Sequence, residues 1–561
     1  MIRHAVLTTA LLALGAGALT AKDPGMAGMR MGGDSSDQTP IPMPPGMIML
    51  PGLVGLTPPV GAFLPGAGVD PASVPLALPS TIVPLKDGDT LDLTAGLLRR
   101  TIRGRTFVMY GFNGQVPGPM IRVAQNATIT VRFHNRIDLP STVHWHGVRL
   151  DNRYDGVPDV TQAPVPPGGD FTYTVHFPDA GIYWYHPHVR EDIEQAMGLY
   201  GNMLVESPDT GYYSPANREV ALMLSDLLVH ADTLIPFGKE SPDFVLMGRV
   251  GNVPLVNGEP DYELAVHRGE VVRFFLTDAA NARTWNLSIP GVPLKVLASD
   301  VSRFEREAMV SSVILAPAER YVVAAEFDRP GRYPIVNAVQ AIDHYRGEFE
   351  TQVDTLGWVT VDSIPATPDH RAAFATLRAN PAVTAEIGKY RKYFDRPPDK
   401  RITLTVATSS LPLPTVQFMS VDTAYFHPIE WTDGMPEMNW LSTGDQVRWI
   451  LRDDSTGAEN GAIDWHVRQG SVVKLRIFND PHSFHPMQHP IHLHGQRMLV
   501  VSRDGVPTRD LVWKDTVLIP VGSTVDLLID ASNPGAWMLH CHIAEHLGSG
   551  MMMTLHVDPR R

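Results

Sequence analysis

Short runs of alternating apolar and polar residues recur along most of the chain, and turn residues bound them. One such pattern, a turn followed by an alternating run, occurs three times, at residues 123–133, 266–275 and 467–476. A period of two residues indicates β-strands that bury one face. The recurrence predicts three copies of one structural unit.

A second pattern lies near the end of each copy. It is a glycine followed by a short apolar run, at residues 181–185, 331–335 and 535–539. Three copies of one β-sandwich account for both patterns and for a length of 561 residues, which exceeds one ordinary domain. The predicted fold class is therefore all-β, with three sandwich domains.

The exception to this pattern lies between the second and third copies. Thr367 is a candidate helix cap with Pro368 at the first helical position, and residues 372–377 continue the helix until Pro381 breaks it. A second helical piece is predicted over residues 385–394. We interpret this stretch as a short helical connector rather than a fourth domain.

The N-terminal residues do not share the strand pattern. Arg3 and the apolar run that follows predict a signal peptide; the alternative, a membrane anchor, is disfavoured because the run is short for a span. Next comes a leader rich in Pro, Gly and Met. The predicted segments are the signal peptide at 1–21, the leader at 22–80, domains at 81–210 and 211–365, the connector at 366–400 and a third domain at 401–561.

Composition narrows the functional classes. Proline (49 residues) and glycine (47 residues) are frequent, which favours turn-rich β structure. The net charge of −14 argues against nucleic-acid binding and favours attraction of cations. The leader contains six methionines, and thioethers bind Cu(I), so copper capture is one interpretation and a plain flexible leader is the other: Met26, Met29, Met31, Met43, Met47 and Met49.

Histidines are concentrated in four short segments, which hold 10 of the 22 histidines: His144 and His146; His186 and His188; His489, His492 and His494; and His540, His542 and His546. Residues i and i+2 of a strand point to the same face, so each His-X-His pair aims two imidazoles at one place. Four such pairs supply more imidazoles than one metal ion needs.

The repeats provide an internal comparison. Copies one and three carry every paired histidine, whereas Val336 and Ala338 occupy the matching positions of copy two. This distribution predicts that copies one and three face each other with the metals between them. The middle copy is then interpreted as a spacer.

The only cysteine, Cys541, lies between two paired histidines, so its side chain points to the opposite face and belongs to another site. A lone cysteine excludes an internal disulfide. His489, His546 and Met551 complete with it the ligand set of a blue copper site for electron transfer. Zinc is the rival metal, but one Cys with two His and a thioether fits copper better.

These motifs, in this order, resemble those of the three-domain multicopper oxidases, a group that includes laccases and bacterial cuprous oxidases. The resemblance covers residues 85–558, and residues 113–119 also resemble the family's first-domain entry. It implies cupredoxin-like Greek-key domains. It also implies four copper ions: one type 1 copper at His489, Cys541, His546 and Met551, one type 2 copper at His144 and His492, and two type 3 coppers at His146, His186 and His542, and at His188, His494 and His540.

The resemblance further implies one-electron oxidations at type 1, electron transfer through Cys541 and its flanking histidines, and reduction of O2 to water. Asp155 matches an acidic residue near the family's copper cluster and is a candidate proton relay, with a turn aspartate as the alternative. Some bacterial relatives have an acid where this chain has Leu547, so that relay is absent here. The direction of Glu545 is left open.

The leading function is thus an oxidase that uses O2 and a small reducing substrate, which is a phenolic or aromatic compound, Cu(I) or Fe(II). The alternative is a copper-tolerance or sequestration protein with cuprous oxidase activity. A noncatalytic relative is disfavoured by the full ligand set, and a nitrite reductase by the eight paired histidines. The signal peptide predicts a periplasmic or secreted protein with no stable membrane insertion after processing.

Overall fold

The alternating segments form strands, and the computed structural model arranges them in three cupredoxin-like β-sandwiches. It describes residues 49–50, 52–231, 233–343, 348–421 and 429–560. In each sandwich, the apolar face of one sheet packs against the apolar face of the other, which is the arrangement that a period of two residues predicts.

The first sandwich holds its core between a sheet of four strands and a sheet of five. The first sheet has the order Arg105–Phe112, Thr90–Ile102, Thr128–Arg136 and Asp170–His176, and the second has the order Ile82–Pro84, Met120–Ala124, Gly201–Glu206, Gly181–His186 and His144–His146. Val131 and Phe133 of one sheet and Trp145 of the other lie in the same buried cluster.

The second sandwich is larger but is built in the same way. Its six-stranded sheet has the order Val253–Val256, Arg218–Leu227, Glu270–Asp278, Arg320–Phe327, Leu294–Ser299 and Ser302–Val310, and its five-stranded sheet has the order Tyr262–Arg268, Glu348–Pro365, Gly331–Asp343, Trp285–Ser288 and Val313–Leu315. Phe274 and Val323 pack against Trp285 and Val359 across the two sheets.

The third sandwich ends the chain. One sheet has the order Val447–Asp453, Lys400–Thr408, Ser471–Asn479, Thr524–Ala531, Arg497–Arg503 and Val506–Pro507, with Trp513–Lys514 also paired to Arg497–Arg503, and the other has the order Asp464–Arg468, Met552–Asp558, Gly535–Cys541, His489–Leu493 and Thr516–Ile519. Leu475 and Leu527 share a buried cluster with Ile491 and Leu539.

Parallel strand pairs occur at equivalent places in the three sandwiches. They are Thr90–Ile102 with Thr128–Arg136, Arg218–Leu227 with Glu270–Asp278, and Lys400–Thr408 with Ser471–Asn479. Parallel neighbours require a crossover connection, so these sheets are not simple meanders. The shared connectivity confirms that the sequence repeat is a structural repeat, while the predicted domain boundaries stay predictions.

The stretch before the third sandwich contains short helices, Arg371–Ala375 and Pro381–Gly388, and a 3-10 turn, Arg391–Tyr393. The first helix begins at Arg371, with His370 rather than Thr367 at its N-cap, so the predicted start at Pro368 is wrong. It ends at Ala375, and Pro381, six residues later, begins the second helix. Proline has no N–H to donate, and the first position of a helix needs none. The second helix therefore begins four residues before the predicted position.

The leader is described only from residue 49 onward, so the predicted signal peptide and five of the leader methionines, Met26, Met29, Met31, Met43 and Met47, lie outside the described residues. The described part packs against the folded sandwiches. Leu53 and Val60 are buried in the core of the third sandwich, and Ala62–Phe63 pairs with Phe237–Gly238.

The remaining elements are short: a hairpin of Val229–His230 and Thr233–Leu234; helices Glu191–Glu194, Leu413–Val421, Pro436–Leu441 and Ala544–Gly548; and 3-10 turns Pro71–Ser73, Asn152–Tyr154 and Asn460–Ala462. Within the described part of the chain, no helix is both long and apolar enough to cross a membrane.

Candidate metal centre

Two pairs of neighbouring strands, one pair from the first sandwich and one from the third, carry the paired histidines. His144 lies opposite His186 in the first pair, and His492 lies opposite His540 in the second. Because side chains alternate along a strand, the histidines two residues away extend the same face. Each strand pair thus presents a patch of imidazoles to the other.

The two patches meet in one buried cluster. Eight imidazoles take part, and none is more than 5% exposed. Their ligand atoms form three groups in which all atoms lie within 4.8 Å of one another: His144, His146 and His492; His146, His186 and His542; and His188, His494 and His540.

The nitrogens that face the middle of this cluster approach one another closely. His494 Nε2 lies 3.0 Å from His540 Nε2 and 3.3 Å from His188 Nε2. Other inward nitrogens have no hydrogen-bond partner among the described residues: His144 Nε2, His146 Nδ1, His186 Nε2, His492 Nε2 and His542 Nε2. Buried lone pairs that converge in this way are the arrangement expected around metal ions.

The outward nitrogens are fixed by hydrogen bonds, mostly to backbone carbonyls. Nδ1 of four histidines donates to a carbonyl oxygen at 2.7–2.9 Å: His144 to Asp155, His186 to Pro187, His492 to Asp515 and His540 to Cys541. A donating Nδ1–H leaves the lone pair on Nε2, so these contacts set both the tautomer and the direction of each inward nitrogen.

Carboxylates lie against the outward nitrogens of three more histidines, whereas neither ring nitrogen of His542 has a hydrogen-bond partner among the described residues. Asp155 is fully buried, accepts a hydrogen bond from His494 Nδ1 at 2.9 Å and lies 3.3 Å from His144 Nδ1. Asp515 accepts one from His146 Nε2 at 3.1 Å. Glu191 lies 3.0 Å from His188 Nδ1. Sequence reasoning found only Asp155, although Glu191 follows His188 by three residues at the start of a short helix.

Glu545, whose direction the sequence left open, faces Asn281. It is buried and accepts a hydrogen bond from Asn281 of the second sandwich at 3.1 Å. Leu547, two residues later, packs in a small apolar cluster with Val157 and Met538.

A second site lies on the opposite side of the strand that carries His540. Cys541 Sγ is 3.5 Å from His489 Nδ1 and 3.7 Å from His546 Nδ1, and those two nitrogens are 3.3 Å apart. Met551 is fully buried in the same hydrophobic cluster as Cys541, and its carbonyl accepts a hydrogen bond from the Cys541 amide at 3.1 Å.

Trp449 covers this second site. Its ring stacks on His546 with centroids 4.1 Å apart and meets His489 edge-on at 4.9 Å. The indole Nε1–H donates to the carbonyl of Val245 in the second sandwich at 2.8 Å. The two histidines are 0% and 1% exposed, so the site is closed to water.

Sequence profiles described as multicopper oxidase match residues 99–210, 220–356 and 431–561, which together are well over half of the chain. The chain belongs to the multicopper oxidase family. This family consists of copper-dependent oxidoreductases that use O2 and oxidise small substrates or metal ions.

Curated relatives include a Laccase-1 of Botryotinia fuckeliana, 25% identical over 79% of this chain and 77% of the relative. Another is the multicopper oxidase MmcO of Mycobacterium tuberculosis, 26% identical over 83% of this chain and 86% of the relative. This chain is similar to both over most of their length.

Solved structures of multicopper oxidases share the fold. The metallo-oxidase from Campylobacter jejuni superimposes with a TM-score of 0.63 at 22% identity, covering 87% of this chain and 97% of that one. McoA from Aquifex aeolicus gives a TM-score of 0.64 at 21% identity, covering 87% and 100%. The cupredoxin-like fold inferred from the sequence is therefore confirmed.

Family membership implies copper, and the two clusters fit it. The second site combines a thiolate donor, two imidazoles and a nearby thioether, which favours copper over zinc. Burial raises the pKa of the Cys541 thiol, so a bound cation is needed to hold it as a thiolate.

Burial also favours the neutral form of nine histidines in the two sites. Burial and the neighbouring His485 lower the pKa of His489 to about 3. Burial is likewise the main cause of a lowered pKa at other histidines of the two sites, namely His146, His186, His188, His492, His494, His540, His542 and His546. Neutral imidazoles are the form that binds metals.

These lowered pKa values predict acid sensitivity of the metal-free protein. Below the ordinary histidine pKa of about 6.5, the unfolded chain binds more protons than the folded one, so stability falls as the pH falls. Each buried histidine contributes a slope of up to about 1.4 kcal/mol per pH unit in that range. We expect the thermal unfolding midpoint of the metal-free protein to drop steadily between about pH 7 and pH 5.

Two variants test whether the buried histidines cause this pH dependence. His489→Phe should make the midpoint depend less steeply on pH, because it removes one buried titratable ring. His466→Ala serves as the control, since the His466 side chain is 54% exposed. A metal-free wild-type protein with a flat profile over this range would contradict the argument.

Proposed function

We propose that the chain binds four copper ions and oxidises a small reducing substrate at the Cys541 site while O2 is reduced at the histidine cluster. In this proposal, type 1 copper binds His489, Cys541, His546 and Met551; type 2 copper binds His144 and His492; and the type 3 coppers bind His146, His186 and His542, and His188, His494 and His540. The single observation that carries it is the pair of buried donor clusters on opposite sides of one strand.

Bound copper would supply the one-electron chemistry that joins single-electron donors to O2. The chain supplies the connection. Cys541 lies at the second site while its covalent neighbours His540 and His542 lie in the histidine cluster, so the path between the sites is a few bonds of one backbone segment. The carboxylates and carbonyls on the outward nitrogens hold the imidazoles in position.

The reductant is proposed to be a small phenolic or aromatic compound, or Cu(I) or Fe(II). Support comes from a cavity of about 490 Å³ between the second and third sandwiches, lined in part by Phe244, Arg283 and Asp433. Phe244 precedes Val245, whose carbonyl accepts the Trp449 hydrogen bond. The cavity is thus separated from the stacked Trp449 and His546 by one backbone segment.

A copper-tolerance role with cuprous oxidase activity is the second candidate. Met435, Met438 and Met487 are buried in the same hydrophobic cluster as Cys541, where thioethers would suit Cu(I). With either reductant, residues 1–21 support a proposal of export to the periplasm or the outside of the cell.

Oxygen uptake by the copper-loaded protein tests the proposal. We expect uptake with a phenolic dye or with Cu(I), and about four coppers per chain by elemental analysis. Cys541→Ser should remove the thiolate charge-transfer band and uptake with both donors, and should lower the copper content by about one per chain.

The rates of oxygen uptake with the two donors also identify the preferred class of reductant. Faster uptake with Cu(I) than with the dye would favour copper tolerance, and the reverse would favour a laccase-type activity. Uptake with neither donor, in protein that carries its full copper, would contradict the proposed turnover. A copper content near one per chain would contradict assembly of the histidine cluster.

Met551 is proposed as the weak axial ligand of the type 1 copper. A thioether at this position lowers the reduction potential relative to an apolar side chain of the same size. Met551→Leu should therefore raise the type 1 potential in a redox titration, with little change in copper content. An unchanged or lowered potential would exclude Met551 from the axial position.

Asp155 is proposed to move protons to the oxygen site. Asn at this position keeps an oxygen that can accept from His494 Nδ1 but cannot take up a proton at neutral pH. Asp155→Asn should retain its copper and type 1 absorption, yet lose about 100-fold in oxygen turnover, with an altered pH profile. Wild-type turnover and an unchanged pH profile would instead make Asp155 a turn residue that orients His494.

A further inference from the structure

Among the described residues, no histidine of the second sandwich lies in the cluster, yet one side chain of this sandwich reaches it. Arg320, the first residue of strand Arg320–Phe327, is fully buried. Its Nη1 donates to Asp515 Oδ1 at 2.6 Å, and its Nη2 donates to Asp515 Oδ2. This two-bond contact fixes the plane of the carboxylate as well as its position.

Asp515 in turn contacts histidines of two different sandwiches. Its Oδ1 accepts from His146 Nε2 at 3.1 Å, and its backbone oxygen accepts from His492 Nδ1 at 2.9 Å. Because His146 donates through Nε2, its inward atom is Nδ1, unlike the Nε2 of His144 and His186. The Thr516 hydroxyl lies 3.2 Å from the same His146 nitrogen and itself donates to Asp515 Oδ1 at 2.8 Å, so the orientation of this imidazole depends on where the Asp515 carboxylate is held.

Arg320 also contacts the first sandwich. Its Nε donates to the carbonyl of Ile182 at 3.3 Å, in the strand that ends at His186. Gly147, directly after His146, has a φ of +83°, and a Cβ there would lie 2.5 Å from Arg320 Nη2 and 2.6 Å from Asp515 Oδ2. The glycine of the first His-X-His segment thus leaves room for the ion pair, and all three sandwiches meet at this point.

A buried ion pair is a poor source of stability, because apolar side chains of similar size often serve as well. Breaking such a pair, by contrast, leaves an uncompensated charge and disturbs its contacts. The Asp515 carboxylate of this pair also bonds His146, a candidate metal ligand, so the pair is better explained by the positioning of that ligand than by stability alone.

We propose that Arg320 is a positioning residue for the oxygen-reducing copper cluster. It holds Asp515, and through Asp515 it fixes His146 and His492. The middle sandwich is therefore more than a spacer, because it sets the geometry of a site to which it gives no ligand. The inference rests on the ligand assignment proposed above.

The test uses the full-length, copper-loaded protein. Arg320→Lys keeps the charge but loses the two-bond contact, and Arg320→Met removes both. We expect each to weaken copper retention at the cluster by about 10-fold or more during dialysis against a chelator, and to change the electron paramagnetic resonance spectrum of the type 2 copper. The type 1 absorption should persist, since Cys541 lies in the other site.

Lys295→Met is the matched control. Lys295 forms an ion pair with Glu307 at 3.1 Å in the same sandwich, equally buried but without contact to the histidines. It should lower stability and leave the type 2 spectrum unchanged. If it perturbs that spectrum as much as Arg320→Lys does, general destabilisation is the cause and the positioning role is wrong.

If Arg320 acts through Asp515, the effects of substituting the two residues on copper retention should not be additive. Adding Arg320→Met to Asp515→Asn should cost little further copper retention, whereas independent effects would multiply and contradict the proposal. Gly147→Ala, which leaves every charge in place, should reproduce the spectral change. If the wild-type protein binds only one copper ion per chain, the ligand assignment itself is wrong. If it binds its full copper and the type 2 spectra of Arg320→Lys and Gly147→Ala match that of the wild type, only the positioning role is wrong.

Discussion

The alternation of side chains along strand Gly535–Cys541 is the constraint on which the rest of the structure depends. It sends His540 to one side and Cys541 to the other, so two buried donor clusters share one backbone segment. Neither cluster is complete within that strand. The histidine cluster needs a second sandwich against it, and the cysteine site needs His489, His546 and a cover that excludes water.

Bringing so many imidazoles together in a dry space has a free-energy cost that the protein meets with fixed hydrogen bonds. Each outward nitrogen bonded to a carbonyl or carboxylate directs one lone pair inward. The metal-free chain therefore keeps a site that is shaped for cations and unfavourable for protons. This arrangement links copper affinity, acid stability and the positions of the three sandwiches.

The local part of this design could be predicted from the sequence, and the long-range part could not. The strands and His-X-His pairs depend on a period of two residues, so they are visible within a few positions. Asp515 and Arg320 are separated by 195 residues, and His146 and Asp515 by 369 residues, and no motif marks Arg320 or Asp515. The start of the second connector helix at Pro381 was missed for a different reason, because the proline was interpreted only as a helix breaker although it also suits the first position of a helix.

The closed cysteine site also limits how electrons enter. His489 and His546 are 1% and 0% exposed, so a donor in solution does not touch either ring. His546 stacks on the Trp449 ring, which in turn donates a hydrogen bond to the Val245 carbonyl of the second sandwich. The second sandwich thus lies beside both sites, through the Val245 carbonyl at Trp449 and through Arg320 at Asp515.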